Sequence, residues 1–250
     1  MLFRSLDQRI EDVFVEFSFR CELEHHQRRF ARKKFLRAGE HVRFFAFDVD
    51  LHEIHALDAA LARGCEILAH NYEQGELLPS FAFDEPAERK LITETLRVYE
   101  QCVGKKARGW LSSSLRSTEH TPEILAAAGL QYFCDYMNDD QPYLIHTESG
   151  PLVNIPYSIE INDFTYFHRR AMTSRDALDM LCGQFDELYR ESASTGKMMN
   201  VGIHPHISGH PHRMQFYRDL LAHMKKQPDV WWTTREQVAD WYLAHHKSHI

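Results

Sequence analysis

Apolar and polar positions come in blocks along this chain, and from Asp50 onward the blocks recur in one order: a short apolar run, a polar loop, then a stretch with helical spacing. The clearest apolar run is Met198 to Ile203. It is bounded by turn formers and followed by a helix-like segment, which predicts a buried β-strand that gives out at His204. Further strands are expected at Glu66–Ala69, Ala107–Leu111, Leu130–Cys134, Leu152–Ile155 and Val230–Trp232. Helical spacing marks His52–Arg63, Asp84–Val103, Pro122–Ala128, Ser174–Arg190, a stretch from His212 to about Lys226, and Thr234–Leu243. DEPAER, starting at Asp84, puts acidic residues and a proline in a first turn, and Gly64, Gly104 and Gly129 are natural helix stops.

Polar residues gather after the strands rather than before them. That asymmetry predicts an α/β chain of the (β/α) barrel kind, whose rim of strand carboxyl ends carries the chemistry. An open doubly wound sheet is the structural alternative, and no glycine-rich phosphate loop follows any strand to favour a nucleotide-binding version of it. The first fifty residues are less regular. Asp12–Phe19 (DVFVEFSF) and Val42–Phe47 read as strands, joined by a charged helix over the basic run Arg28–Arg37, a solvated face given the acidic residues close by.

Composition narrows the classes. At 250 residues the chain has the length of one large α/β domain. A net charge of -7 argues against a general nucleic-acid partner and fits a small neutral or polar substrate. No run reaches the roughly 18 apolar residues of a membrane span, and MLFRSLDQRIED lacks a signal-peptide core, so a cytoplasmic location is expected. The five cysteines are scattered singly, which argues against a disulfide framework.

The groups expected at strand ends are His70, Glu73 and Glu76; Ser112 to Arg116; Asp135, Asp139 and Asp140; Glu160, Asn162 and Asp163; and His204 with His206. Imidazoles and carboxylates on one rim are the ingredients of a hydrolytic site, with or without a metal ion. Trp110, Tyr143, Tyr157 and Tyr166 are candidates for an aromatic wall against a sugar or a flat cyclic amide, although core packing explains Trp110 equally well. Arg116 suits fixing a carboxylate or a substrate carbonyl, or pairing with a loop aspartate.

Four stretches carry a resemblance: GWLSSSLRSTEHTPEILAAAGLQYFCDYMNDDQPY from Gly109, GPLVNIPYSIEINDF from Gly150, GIHPHISGHPHR from Gly202 and VWWTTREQVADWYL from Val230. In this order they resemble the polysaccharide deacetylase (NodB-homology) superfamily, most closely its allantoinase-like branch, over roughly Gly64 to Leu243, about three quarters of the chain. The resemblance implies a distorted (β/α) barrel that hydrolyses a carbon-nitrogen bond other than a peptide bond, in an N-acetyl sugar or a small cyclic amide. His70 matches the first histidine of the family's metal motif, and His204 the late Leu-x-His histidine, here Ile-x-His, which acts as general acid. The sequence departs from the family where the second metal histidine falls, at Gln74, and in the early Asp-Asp motif, for which Asp48 and Asp50 are local look-alikes.

The expected site therefore has His204, Asp140 and Arg116 as catalytic residues, with Trp110, Tyr143, Tyr157, Asn162 and His206 toward substrate. One zinc ion on His70, Glu73 and Asp48, and a metal-free route with a carboxylate as base, stand as alternatives of equal weight. A catalytically inactive barrel that binds a carbohydrate or other small ligand is the rival to an enzyme. Relatives often assemble, so homo-oligomerisation through aromatics such as Trp231 or Trp241 is a further expectation.

Overall fold

The computed structural model describes Leu57 and residues 60–72 and 75–248; of the earlier chain it describes the backbone pairing of Phe3–Arg4, Glu11–Asp12, Phe14–Phe19, Arg43–Phe44 and Phe47–Asp48. The expected helix over 28–37 lies outside the described residues, as does most of the one at His52–Arg63, of which 60–62 are helical. The chain divides into two compact units: Met1–Arg20, Met137–Pro142 and Pro156–Ile250 form one, and Cys21–Tyr136 with Tyr143–Ile155 the other.

In the second of these units the sheet runs Gly109–Trp110, Tyr132–Phe133, Gly150–Asn154, Tyr143–Thr147. The first three strands are parallel, with Trp110 beside Phe133 and Phe133 beside Asn154; Ala69 adds a parallel bridge to Trp110. Their carboxyl ends therefore share one edge, where His70, Leu111, Cys134 and Ile155 come next in the chain. Tyr143–Thr147 is an antiparallel strand that is not among those the apolar pattern predicts; it pairs with Gly150–Asn154 across a tight turn. The helix Glu85–Val103 is set by its ends: the Asp84 carboxylate accepts from Ala87 N–H at 3.1 Å, and Gly104, at φ 76°, closes it. Its Ile92, Val98 and Tyr99 pack into a core with Trp110, Ile124, Leu125, Phe133 and Leu152.

The other unit centres on Met198–Ile203, buried at every position, which pairs in parallel with Phe14–Phe19. Burial on both faces is why this strand reads as a continuous apolar run rather than an alternating one. Helices Ser174–Glu191 and Pro211–Met224 supply Leu181, Phe185, Phe216, Leu220 and Met224 to a core around Met199, Val201 and Ile203. Thr173 caps the first of these helices, and Thr234 with Gln237 forms a capping box at Arg235–His245. Residues 230–234 carry no strand, and Trp232 stands exposed there with the Lys225 ammonium 5.8 Å from its ring.

Candidate functional site

His204 follows the last residue of the buried strand and is itself 2% exposed. Its position depends on Gly202. A Cβ there would stand 2.2 Å from the Tyr157 hydroxyl and 2.5 Å from Asn162 Nδ2, so only glycine lets the segment around Asn162 approach the strand. The approach is a parallel bridge, Asn162 beside Gly202, and it lets Asp163, the next residue, reach His204, two residues beyond Gly202. Asn162 stiffens the segment: its amide donates to the Tyr157 hydroxyl at 2.7 Å and its carbonyl accepts from Phe164 N–H at 2.8 Å.

Asp163 is wholly buried and accepts three hydrogen bonds. Oδ1 accepts from His204 Nδ1, and Oδ2 accepts from the His204 backbone N–H at 2.6 Å and from the Ser208 hydroxyl. Because a carboxylate only accepts, the proton of the neutral ring is fixed on Nδ1 and the lone pair on Nε2. A protonated ring would have its charge beside a carboxylate held by charge-assisted hydrogen bonds. Behind Ser208 stand Tyr217, bonded to the Ser208 hydroxyl, and Tyr166, whose hydroxyl is 3.0 Å from that of Tyr217. Burial pushes both phenols above their ordinary range, so they keep their protons. Tyr166 belongs to a π-helical turn, Phe164–Arg169, that begins immediately after Asp163.

His70 sits differently. It follows the Ala69 bridge, is 4% exposed, and its Nδ1 bonds the Leu111 carbonyl. A carbonyl cannot donate, so Nδ1 carries the proton and Nε2 the lone pair, which faces the Ser113 hydroxyl at 3.5 Å. Around it a polar rim is tied together: Ser112 N–H donates to Asp135 at 2.7 Å, the Trp110 indole to Ser112 Oγ at 2.9 Å, and Ser113 N–H to Asn71 at 3.2 Å. The loop achieves this with Ser114 and Leu115 at φ 59° and 57°, strained positions for residues other than glycine.

The remaining expected residues fall as follows. Asp140 is paired with Lys197 at 2.8 Å, before the amino end of the Met198–Ile203 strand. A strand of that length spans about 20 Å, so the structure does not bring Asp140 to His204. Arg116 is exposed, Trp110 lies entirely within the core, and Tyr143 is half-buried at the start of its strand. Tyr157 is buried under the Arg235 guanidinium, 5.5 Å from its ring, and His206 is exposed, its ring edge-on to His204 at 5.6 Å. Glu73 lies outside the described residues, as does the side chain of Asp48. Among the described residues no group of three or more His, Cys, Asp and Glu side chains is placed to hold an ion; His70 has the tautomer a metal ligand needs.

Asp163 is the partner of His204 that the sequence did not assign. It was visible as one of several strand-end acids, but its pairing spans 41 residues. Ser208 had a weak signal, lying four residues beyond His204 in the short helix Pro205–Ser208. Tyr217 and Asn71 had none.

No protein-family model matches the chain. It is 27% identical over 206 residues to a Schizosaccharomyces pombe protein assigned by name to the polysaccharide deacetylases, covering 73% of this chain and 62% of that one. It is 24% identical over 212 residues to a Helicobacter pylori peptidoglycan deacetylase, covering 72% and 71%. The crystal structure of PuuE allantoinase superposes with a TM-score of 0.70 at 28% identity, over 78% of this chain and 64% of that one. The chain thus spans somewhat under two thirds of two of these proteins. The likenesses show an α/β fold of the NodB type, the distorted (β/α) barrel class expected from the sequence.

Proposed function

We propose, from the premise that this chain belongs to the polysaccharide deacetylase (NodB-type) superfamily, that it hydrolyses a carbon-nitrogen bond other than a peptide bond, with His204 as general acid. The observation that carries this is the buried pair in which Asp163 holds Nδ1–H of His204. Water adds to the amide carbonyl carbon, giving a proton to a base as the C–O bond forms and the π pair moves onto oxygen, and the tetrahedral intermediate then re-forms its C=O and breaks its C–N bond. The departing nitrogen takes the electron pair and a proton from Nε2 of the imidazolium, leaving the ring neutral with its lone pair where the proton was. Asp163 stabilises the imidazolium before transfer and fixes the ring's orientation throughout. The His70 cluster has a capacity of its own: an imidazole whose Nε2 carries the lone pair is what accepting a proton from water, or binding a metal ion, requires.

The substrate class is an amide with a basic leaving nitrogen, in an N-acetyl sugar or a small ring. Oligomers of N-acetylglucosamine represent the first and allantoin the second. We place the activity in the cytoplasm, supported by the acidic balance and by Cys65, Cys102 and Cys182 standing as thiols. His204→Ala is expected to lower turnover roughly 10²-fold or more on whichever of these is hydrolysed. Unchanged turnover removes His204 from the reaction.

A further inference from the structure

Of the groups around His204, Ser208, Tyr217 and Tyr166 are the ones the reaction above does not use. All three are buried, and none is required to cap a helix or complete a sheet. Their hydroxyls form a line that ends on the carboxylate of Asp163.

The direction of that line follows from counting protons. Asp163 is an acceptor only, so Ser208 spends its one hydroxyl proton on Oδ2. Ser208 Oγ must then accept from Tyr217, and Tyr217, having donated there, must accept from Tyr166. Every hydrogen bond therefore points toward Asp163, and the line meets the His204 Nδ1–H and backbone N–H coming from the other side.

We propose that Ser208, Tyr217 and Tyr166 are positioning residues: a one-way hydrogen-bond relay that fixes the orientation and charge of Asp163 and so sets both the aim and the acidity of His204. This rests on His204 being the general acid. A carboxylate that accepts more hydrogen bonds is a weaker base and a weaker partner for an imidazolium. With the relay intact, His204 gives up its proton more readily; with it cut, negative charge returns to Oδ1, the imidazolium is held more tightly, and the carboxylate is freer to rotate. The relay is insulated from ambient pH, since burial keeps both phenols protonated. Among the described residues, the other titratable or charged groups facing it are His206 against the His204 ring, Arg213 near Tyr217 and Tyr157 near Tyr166.

The test uses the full chain with Ser208→Ala, Tyr217→Phe, Tyr166→Phe and Ser208→Thr. Imidazole NMR titration of His204, assigned with His204→Gln, needs no substrate and is read beside the pH profile of kcat on allantoin and N-acetylglucosamine oligomers. In Ser208→Ala the His204 titration is expected to move up by roughly half a pH unit, the alkaline limb of kcat to follow it, and kcat to fall roughly tenfold with little change in KM. Tyr217→Phe moves both in the same direction by less and Tyr166→Phe by least, while Ser208→Thr, which keeps the hydroxyl, restores the parent values. A His204 titration that stays fixed in folded Ser208→Ala and Tyr217→Phe overturns the relay even if His204→Ala is inactive. A titration that moves in the graded order supports the relay even if no substrate is turned over, in which case it is the hydrolase reading that fails.

Discussion

The two buried histidines at strand ends make an instructive pair. Both have Nδ1 tied down by a partner 41 residues away, and both therefore keep the same neutral tautomer. The partners differ: His204 is held by a carboxylate, His70 by the Leu111 backbone carbonyl. A carboxylate offers a full charge to an imidazolium, which is what the general-acid role proposed for His204 requires. A carbonyl offers His70 only a dipole, and as an acceptor it fixes the proton on Nδ1 and the lone pair on Nε2. One residue type thus acquires two chemical characters from the group behind it.

The sharpest way to break the contrast is Asp163→Asn, which removes the charge but nearly keeps the shape. An amide presents a donor where Oδ1 or Oδ2 accepted, so the ring loses its fixed tautomer, and turnover is expected to fall roughly 10³-fold, measured as kcat on the substrates named above. A fall of less than tenfold would mean that the carboxylate is not what makes His204 an acid.

His70→Ala tests the other half. It leaves the Leu111 carbonyl buried without its donor and opens a void, so stability in urea is expected to drop by about 1–3 kcal/mol. Zinc reconstitution reads the ring's second role: about one equivalent per chain in the parent, lost in the variant, marks Nε2 as a ligand, and the same zinc content in both excludes it from that role.

The smallest effect is expected at Lys197, which holds Asp140 and Glu191 at 2.8 and 3.2 Å. Burial lowers its affinity for a proton, but the hydrogen bonds it donates to the two acids and their charges outweigh that, and its pKa is raised. A raised folded pKa gives stability that is present in full below the unfolded value of about 10.4 and is lost as pH climbs through the folded one. Lys197→Met is therefore expected to cost up to about 1 kcal/mol at pH 7 with turnover unchanged, and the gap to the parent is expected to close in strongly alkaline denaturation series. A large loss of turnover at neutral pH would instead tie Asp140 to the chemistry.

The helices were the legible part of the fold. Asp84 and Gly104 bracket Glu85–Val103 because capping is local: the groups it satisfies lie within four residues of the cap. The strand Met198–Ile203 was equally plain because burial on both faces leaves an unbroken apolar run. Tyr143–Thr147 was missed because it is half-buried and follows NDDQPY, whose turn chemistry masks where the strand begins. Val230–Trp232 has strand composition and no strand, since composition records preference and a ladder needs a neighbour.

By itself, then, the sequence determined where helices such as Glu85–Val103 and Ser174–Glu191 begin and end, which strand is buried on both faces, and that His70 and His204 stand where strands give out. Only the tertiary structure decided that Asp163 rather than Asp140 reaches His204, that Trp110 is core, and that a line of hydroxyls stands behind the acid. The reason is range. Caps and periodicity are written in neighbouring residues, whereas the partner of a buried imidazole is chosen by strand register, and here that choice turns on Gly202 and the close approach it permits.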